Sequence, residues 1–181
     1  IQNLAQLESH EKVRLIKGSH IVTKKLFEHE KCYIFQGEDG RVLFAIPYEE
    51  DYTLIGTTEV EHSNIYNKPK CSDAEIDYII TFVNSYLANK ISKSDVIWTY
   101  SGVRPLYDDG ASSAAAAARD YAVKVNSSAG APALNIFGGK ITTYRRLAER
   151  VMSEIDQIMR KKTDPWTAGV ALPGGDTSIE G

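Results

Sequence analysis

The chain has 181 residues, 43% of them apolar and 25% charged, with a formal net charge of −3. Those totals describe a globular protein long enough for one large domain or two small ones, and they give no electrostatic case for nucleic acid. No apolar run approaches a membrane span, no signal peptide is visible, and the two cysteines, Cys32 and Cys71, match no metal or redox spacing, so the cytoplasm is the expected setting.

The chain starts at Ile1 without an initiator methionine, and residues 1–12 carry no strong periodicity, so an excised piece of a longer protein is expected. Residues 13–23 read as a strand containing Gly18-Ser19-His20, residues 28–31 as a turn and residues 32–35 as a second strand. Gly37-Glu38-Asp39-Gly40 carries an Asp-Gly turn signal, with residues 41–46 as the partner strand. Residues 47–51 turn again and residues 52–58 extend, completing an antiparallel meander with one face covered and one open. Ser72-Asp73-Ala74-Glu75 matches a capping box, and Ile76, Ile79, Ile80, Val83 and Leu87 form one stripe behind it. The spacing predicts a helix over residues 73–89 whose role is packing.

Residues 95–100 read as a strand, left through Ser101-Gly102-Val103-Arg104-Pro105-Leu106. Residues 108–118 read as a surface loop or short helix with an unusual run of five alanines, Ala114 to Ala118. Residues 119–125 are a further strand and residues 126–132 a turn. Residues 133–137 are an apolar run fit for a buried strand, broken by Gly138-Gly139. Thr142 or Thr143 can cap the helix that follows, in which Tyr144, Leu147, Ala148, Val151, Ile155 and Ile158 recur at helical spacing. Residues 164–181, with three prolines or glycine pairs among them, should be an irregular tail.

Four features invite a chemical reading beside a structural one. The Gly138-Gly139 turn lets a flat ligand approach the backbone, and the helix start behind it offers unpaired N–H groups to a phosphate or a ring that gains negative charge; it also reads as an ordinary strand-to-helix connection. His20 can accept a proton near neutral pH or simply be hydrogen-bonded in its strand. Arg104, extended by the proline after it, can fork onto a phosphate or carboxylate or pair with Asp108, Asp109 or Asp120. Lys140 sits unfavourably close to a helix start, which a bound anion would offset, or it projects into water.

Six blocks in this order, Arg14-Leu15-Ile16-Lys17-Gly18-Ser19-His20-Ile21-Val22, Ile55-Gly56-Thr57-Thr58-Glu59-Val60, Trp98-Thr99-Tyr100-Ser101-Gly102-Val103-Arg104-Pro105-Leu106, Arg119-Asp120-Tyr121, Phe137-Gly138-Gly139-Lys140-Ile141-Thr142-Thr143-Tyr144-Arg145 and Leu172-Pro173-Gly174-Gly175-Asp176, resemble the FAD-dependent glycerol-3-phosphate dehydrogenases, respiratory enzymes of the glycine-oxidase-like flavoprotein superfamily. The resemblance implies an α+β chain, a fragment of an α/β flavoprotein: a substrate-binding cap on an antiparallel sheet over residues 13–126, the returning strand and helix of a Rossmann-like FAD-binding domain over residues 127–162, and a tail over residues 163–181. The family's Gly-x-Gly-x-x-Gly strand turn has no match in these residues, and the alanine run departs from the mixed polar residues usual before Arg119-Asp120-Tyr121.

By the same resemblance, the intact enzyme oxidises sn-glycerol 3-phosphate to dihydroxyacetone phosphate with FAD and passes the electrons to a quinone. His20 is the expected base, Arg104 the substrate ligand, and Lys140 a stabilising cation on the flavin side, with His20 against Lys140 as proton acceptor left open. Gly138, Gly139, Lys140, Ile141 and Thr142 are expected to hold the flavin through backbone N–H groups. Peripheral contact with the inner face of the cell membrane is implied, and a homodimer is left open. Two alternatives stand beside this reading: a related flavin oxidase that reduces oxygen, and a non-catalytic cap module, with the isolated chain expected to be inactive. A pyridine-nucleotide dehydrogenase lacks its dinucleotide fingerprint here.

Overall fold

A computed structural model describes residues 11–38, 40–110, 120–128 and 130–178. The expected features at residues 1–10, Asp39, the alanine run and Arg119 lie outside the described residues. The chain falls into two compact units, Val13–Ala118 and Ile1–Lys12 with Arg119–Gly181. The strand expected just before residue 126 therefore groups with the later residues, and the division falls after residue 118.

The first unit is a mixed-length antiparallel sheet with a helix on one face. β1 (Val13–Lys24) is its central strand, followed by β2 (Tyr33–Gln36), β3 (Val42–Tyr48), β4 (Tyr52–Gly56), β5 (Val60–Glu61) and, after the helix, β6 (Val96–Tyr107). The order runs β2-β3-β4-β1-β5, with β6 along the other edge of β1. β4 and β5 share one edge of β1, at residues 20–24 and 16–17, and β6 pairs with it from Val13↔Tyr107 to Thr23↔Val96.

Two strands run further than their sequence suggests, for the same reason. β3 continues through Pro47 because β2 pairs only with residues 42–45, leaving the proline's outer side without a ladder bond to lose. β6 continues through Pro105 to Tyr107 because it lies along β1 with no strand outside it among the described residues. A twelve-residue central strand offers twelve residues of pairing, and the edge strand takes nearly all of it.

The helix α1 (Asp73–Asn84) closes one face. The capping box is present: the Ser72 side chain accepts from the Glu75 N–H and the Glu75 carboxylate accepts from the Ser72 N–H. Ile79 and Val83, one turn apart, meet Ile21, Phe35, Leu43, Ala45 and Ile55 of the sheet, with Ile91 completing the core. The opposite face carries Ile34, Phe44, Ile46, Tyr48, Trp98 and Tyr100, all exposed.

The second unit holds a hairpin of β7 (Tyr121–Asn126) and β8 (Ala133–Gly138), in register from Tyr121↔Gly138 to Asn126↔Ala133, then a one-turn 3-10 segment (Ile141–Thr143) and α2 (Tyr144–Met159). No residue of α2 is buried. The tail after α2 is irregular apart from two short turns, Thr167–Gly169 and residues 173–176, and is tied back to it. Asp156 accepts from the Thr163 N–H at 2.7 Å and from its hydroxyl, and Glu149 accepts from Thr167.

Candidate active site

On β1, alternate side chains point to opposite faces. Ile21 enters the core under α1, so Gly18 and His20 face the open side. His20 sits level with Tyr100 of β6 and Gly56 of β4. The imidazole lies flat against the Tyr100 ring, centroids 4.7 Å apart and planes 4° apart. On the other side it leans over Gly56, where a Cβ would come within 2.2 Å of the histidine Cδ2. The ring occupies a slot that any residue other than glycine at position 56 would fill.

Arg104 is held in the same way. A Cβ on Gly18 would lie 2.2 Å from Arg104 Nη1 and 2.7 Å from Thr57 Oγ1. The guanidinium rests on that bare backbone, and its Nη2 donates to Thr57 Oγ1 at 3.3 Å. The ion pair with Asp108 or Asp109 that the sequence allowed for is not what anchors it.

Two polar atoms here are buried without a hydrogen-bond partner: His20 Nδ1 and Arg104 Nη1. A buried, unsatisfied polar group costs about 1–3 kcal/mol, so two in one place mark a site shaped for a ligand that is an acceptor to the cation and a hydrogen-bond partner to the ring. Burial pushes the His20 pKa below its ordinary 6.5, and the Arg104 charge pushes it the same way. The ring is therefore neutral at pH 7 and free to accept a proton. The Tyr100 hydroxyl is pushed up, by burial first and then by the Tyr48 hydroxyl, so it stays a neutral donor.

The remaining expected site residues belong to the second unit. Gly138 and Gly139 both take positive φ, +69° and +92°, which explains a glycine pair by backbone alone. Gly138, Lys140, Ile141 and Thr142 are exposed. Thr143 stands at the start of α2 but does not cap it. Its hydroxyl accepts from the Lys140 N–H at 3.1 Å and donates to the Lys140 carbonyl at 2.9 Å, closing the turn on itself. The turn thus presents backbone with no Cβ at two successive positions, exposed at Gly138 and half-buried at Gly139, where a Cβ would lie 3.5 Å from Tyr121 Cβ. His20 and Arg104 come together in one unit; Gly138 to Thr142 form a separate element of the other.

Sequence reasoning missed Gly18, Gly56, Thr57 and Tyr100. Each is silent until the register of β1 with β4 and β6 is known. Among the described residues no group of three or more His, Cys, Asp or Glu side chains is arranged to hold a metal, and no helix is long and apolar enough to cross a membrane.

Residues 2–145 match the family model described as FAD dependent oxidoreductase. The chain is 44% identical over 176 residues to D-erythritol 1-phosphate dehydrogenase of Brucella abortus (strain 2308), an alignment covering 97% of this chain and 35% of that protein. It is 42% identical over 170 residues to aerobic glycerol-3-phosphate dehydrogenase of Escherichia coli (strain K12), covering 93% and 34%. Among solved structures it is similar to glycerol-3-phosphate dehydrogenase from Bacillus halodurans complexed with FAD, with a TM-score of 0.71 at 26% identity, covering 96% of this chain and 33% of that one. The chain spans about a third of the length of the relatives it matches. With a histidine and an arginine poised on one sheet face and a family model matched across most of its length, this chain belongs to the FAD dependent oxidoreductase family.

Proposed function

We propose that this chain is the cap and part of the flavin region of an enzyme that oxidises sn-glycerol 3-phosphate to dihydroxyacetone phosphate. The observation that carries the reading is the pair of buried, unpartnered atoms, His20 Nδ1 and Arg104 Nη1, on one face of the sheet. A phosphorylated polyol supplies what both lack: oxygens for the guanidinium and a hydroxyl for the ring.

Bound FAD supplies the hydride acceptor. The chain's own residues do the rest. Arg104 holds the phosphate, or the oxygen that gains charge as the alcohol becomes a ketone. Neutral His20 takes the hydroxyl proton as the carbon loses its hydride. Tyr100 and Gly56 fix the plane of the ring, so that its nitrogen keeps one direction. Gly138, Gly139, Ile141 and Thr142 hold the flavin edge through backbone N–H groups; the Lys140 N–H is taken by Thr143 Oγ1, so Lys140 acts through its cation, which stabilises negative charge there. Electrons then pass to a quinone, through peripheral contact with the inner face of the membrane.

A second substrate has its own support. The relative at 44% identity is named for D-erythritol 1-phosphate, a polyol phosphate one carbon longer. The test is steady-state kinetics of the full-length protein with both substrates, following quinone reduction and, separately, oxygen uptake with peroxide release. A kcat/KM for glycerol 3-phosphate at least tenfold above that for erythritol 1-phosphate supports the first reading. The reverse ratio assigns the four-carbon substrate, and turnover of neither overturns the function. Peroxide release without quinone reduction identifies an oxidase.

A further inference from the structure

On the helix side of the sheet, directly behind the histidine and arginine, a single carboxylate gathers five hydrogen bonds. Glu75 is 5% exposed, near the start of α1. Its Oε1 accepts from Ser19 Oγ at 2.8 Å and from Thr58 Oγ1 at 2.7 Å. Its Oε2 accepts from Lys17 Nζ at 2.7 Å, and from the Ser72 N–H and hydroxyl at 2.9 Å each. The donors are tied to one another as well. The Ser19 N–H donates to Thr58 Oγ1 at 2.9 Å, the Thr58 N–H donates to the Ser19 carbonyl at 3.2 Å, and Ser19 Oγ lies 2.7 Å from Ser101 Oγ on β6.

The capping box alone does not ask for this. It uses the bond from the Ser72 N–H, with the Glu75 N–H donating in return to Ser72 Oγ, to start a helix, and the Ser72 hydroxyl adds a bond beside it. The other three reach out of the helix to Lys17 and Ser19 on β1 and to Thr58 beyond β4. Strand alternation makes the choice of targets informative. Between Lys17 and Ser19 lies Gly18, on which the Arg104 guanidinium rests; after Ser19 comes His20; before Thr58 comes Thr57, the hydrogen-bond partner of Arg104. The residues that Glu75 grips on one face are the immediate neighbours of those that seat both side chains on the other.

We propose that Glu75 is a positioning residue for His20 and Arg104, acting through the backbone of residues 17–20 and 57–58. It touches neither side chain and takes no proton. Burial alone would raise its pKa, but the bonds from Lys17, Ser72, Thr58 and Ser19 outweigh that and hold the carboxyl at about 2, so the clamp is charged at every working pH. A misplacement of about 1 Å at a reacting group is enough to lower a rate about a hundredfold.

The kinetic arm of the test rests on the function proposed above; the structural arm does not. In the full-length enzyme, Glu75→Gln keeps the shape and loses the charge that binds Lys17. Its expected effect is a loss of about tenfold to a hundredfold in kcat/KM at a temperature well below unfolding. Val83→Ala, two turns along the same buried stripe, is the control: it loosens α1 from the core and leaves kcat/KM within about threefold. If Glu75→Gln does not fold, Thr58→Val, which removes one of the five donors, decides by the same comparison with a smaller loss of about threefold to tenfold. Equal kcat/KM in Glu75→Gln or Thr58→Val and in the control overturns the proposal. Should the wild-type enzyme turn over neither polyol phosphate, the function falls, and crystal structures of the wild type and the Glu75→Gln or Thr58→Val variant judge the clamp instead. Displacement of the Arg104 guanidinium off Gly18 supports it; unmoved His20 and Arg104 sink it.

Discussion

His20 is set apart from the other three histidines by its surroundings. His29 is exposed and His62 half-buried, both in polar loops and bonded to Tyr33 and to the Asn67 carbonyl, and His10 lies outside the described residues. The sheet gives His20 burial and a nearby cation beside its aromatic neighbour. Because burial and Arg104 lower its pKa below 6.5, the unfolded chain binds more protons than the folded one as pH falls through 6.5, so this group withdraws stability on the acid side. For the proton transfer proposed for His20, the same shift places the loss of its neutral form below pH 6.5. The acid limb of the kcat/KM profile of the full-length enzyme is expected below 6.5, and His20→Ala should remove that limb along with about a hundredfold or more of the rate. A limb centred above 6.5 would assign it to another group. The histidine and the arginine stand out in the sequence because each is a charged or titratable residue inside a strand-like stretch. Their glycines do not, since a glycine's neighbour across a sheet depends on register. Gly56→Ala should therefore be destabilising by about 1–3 kcal/mol through overpacking against the ring. Gly102→Ala, where a Cβ meets nothing within 4 Å, should change stability by less than about 0.5 kcal/mol. Thermal or urea unfolding measures the contrast.

Elements whose boundaries depend on local chemistry are the ones the sequence draws well at one end only. The start of α1 at Ser72 follows from a short-range motif and is found where expected. Its end is not: the apolar stripe runs on to Leu87, yet the helix stops at Asn84. There the Asn84 side chain leaves the helix face and pairs with the backbone of Ile91, accepting its N–H at 2.9 Å and donating to its carbonyl at 2.8 Å. Lys90 turns back onto the carbonyls of Asn84 and Leu87. A loop folded over the helix end closes off the last turn, and no periodicity reports a contact seven residues away. The β3–β4 turn has a similar hidden feature. Glu49 and Glu50 both adopt left-handed backbone, φ +45° and +59°, to join strands whose register is closed by Tyr48↔Tyr52. For a residue with a Cβ this conformation costs roughly 1–2 kcal/mol. Glu50→Gly is expected to stabilise the protein by about 0.5–1 kcal/mol, the relief exceeding glycine's extra chain entropy. An unchanged or lowered urea midpoint at constant m-value would show the turn to be unstrained.

At the scale of the whole chain, the family was legible because six separated blocks keep their order, while the grouping of strands was not, because pairing partners decide it. β7 pairs only with β8 among the described residues, and so joins the second unit in spite of lying next in sequence to the cap. The same scale governs what these 181 residues can do by themselves. The first unit presents an apolar face of Ile34, Phe44, Ile46, Tyr48, Trp98 and Tyr100 around His20, a surface suited to being covered. The turn proposed to meet the flavin is exposed, with Ile141 89% exposed, ahead of a helix with no buried residue. Association costs roughly 4–15 kcal/mol in lost freedom before any affinity appears, and micromolar binding requires a surplus of about 8 kcal/mol beyond that. A single turn of five residues has too little surface to supply both. Titration of the purified 181-residue chain with FAD, followed by flavin fluorescence, should give no stoichiometric break at micromolar concentration, whereas the full-length protein should saturate at one flavin per chain. A sharp break at one equivalent for the short chain would show that these residues already make enough contacts to hold the flavin, and would overturn the assignment of those contacts to residues 138–142 alone.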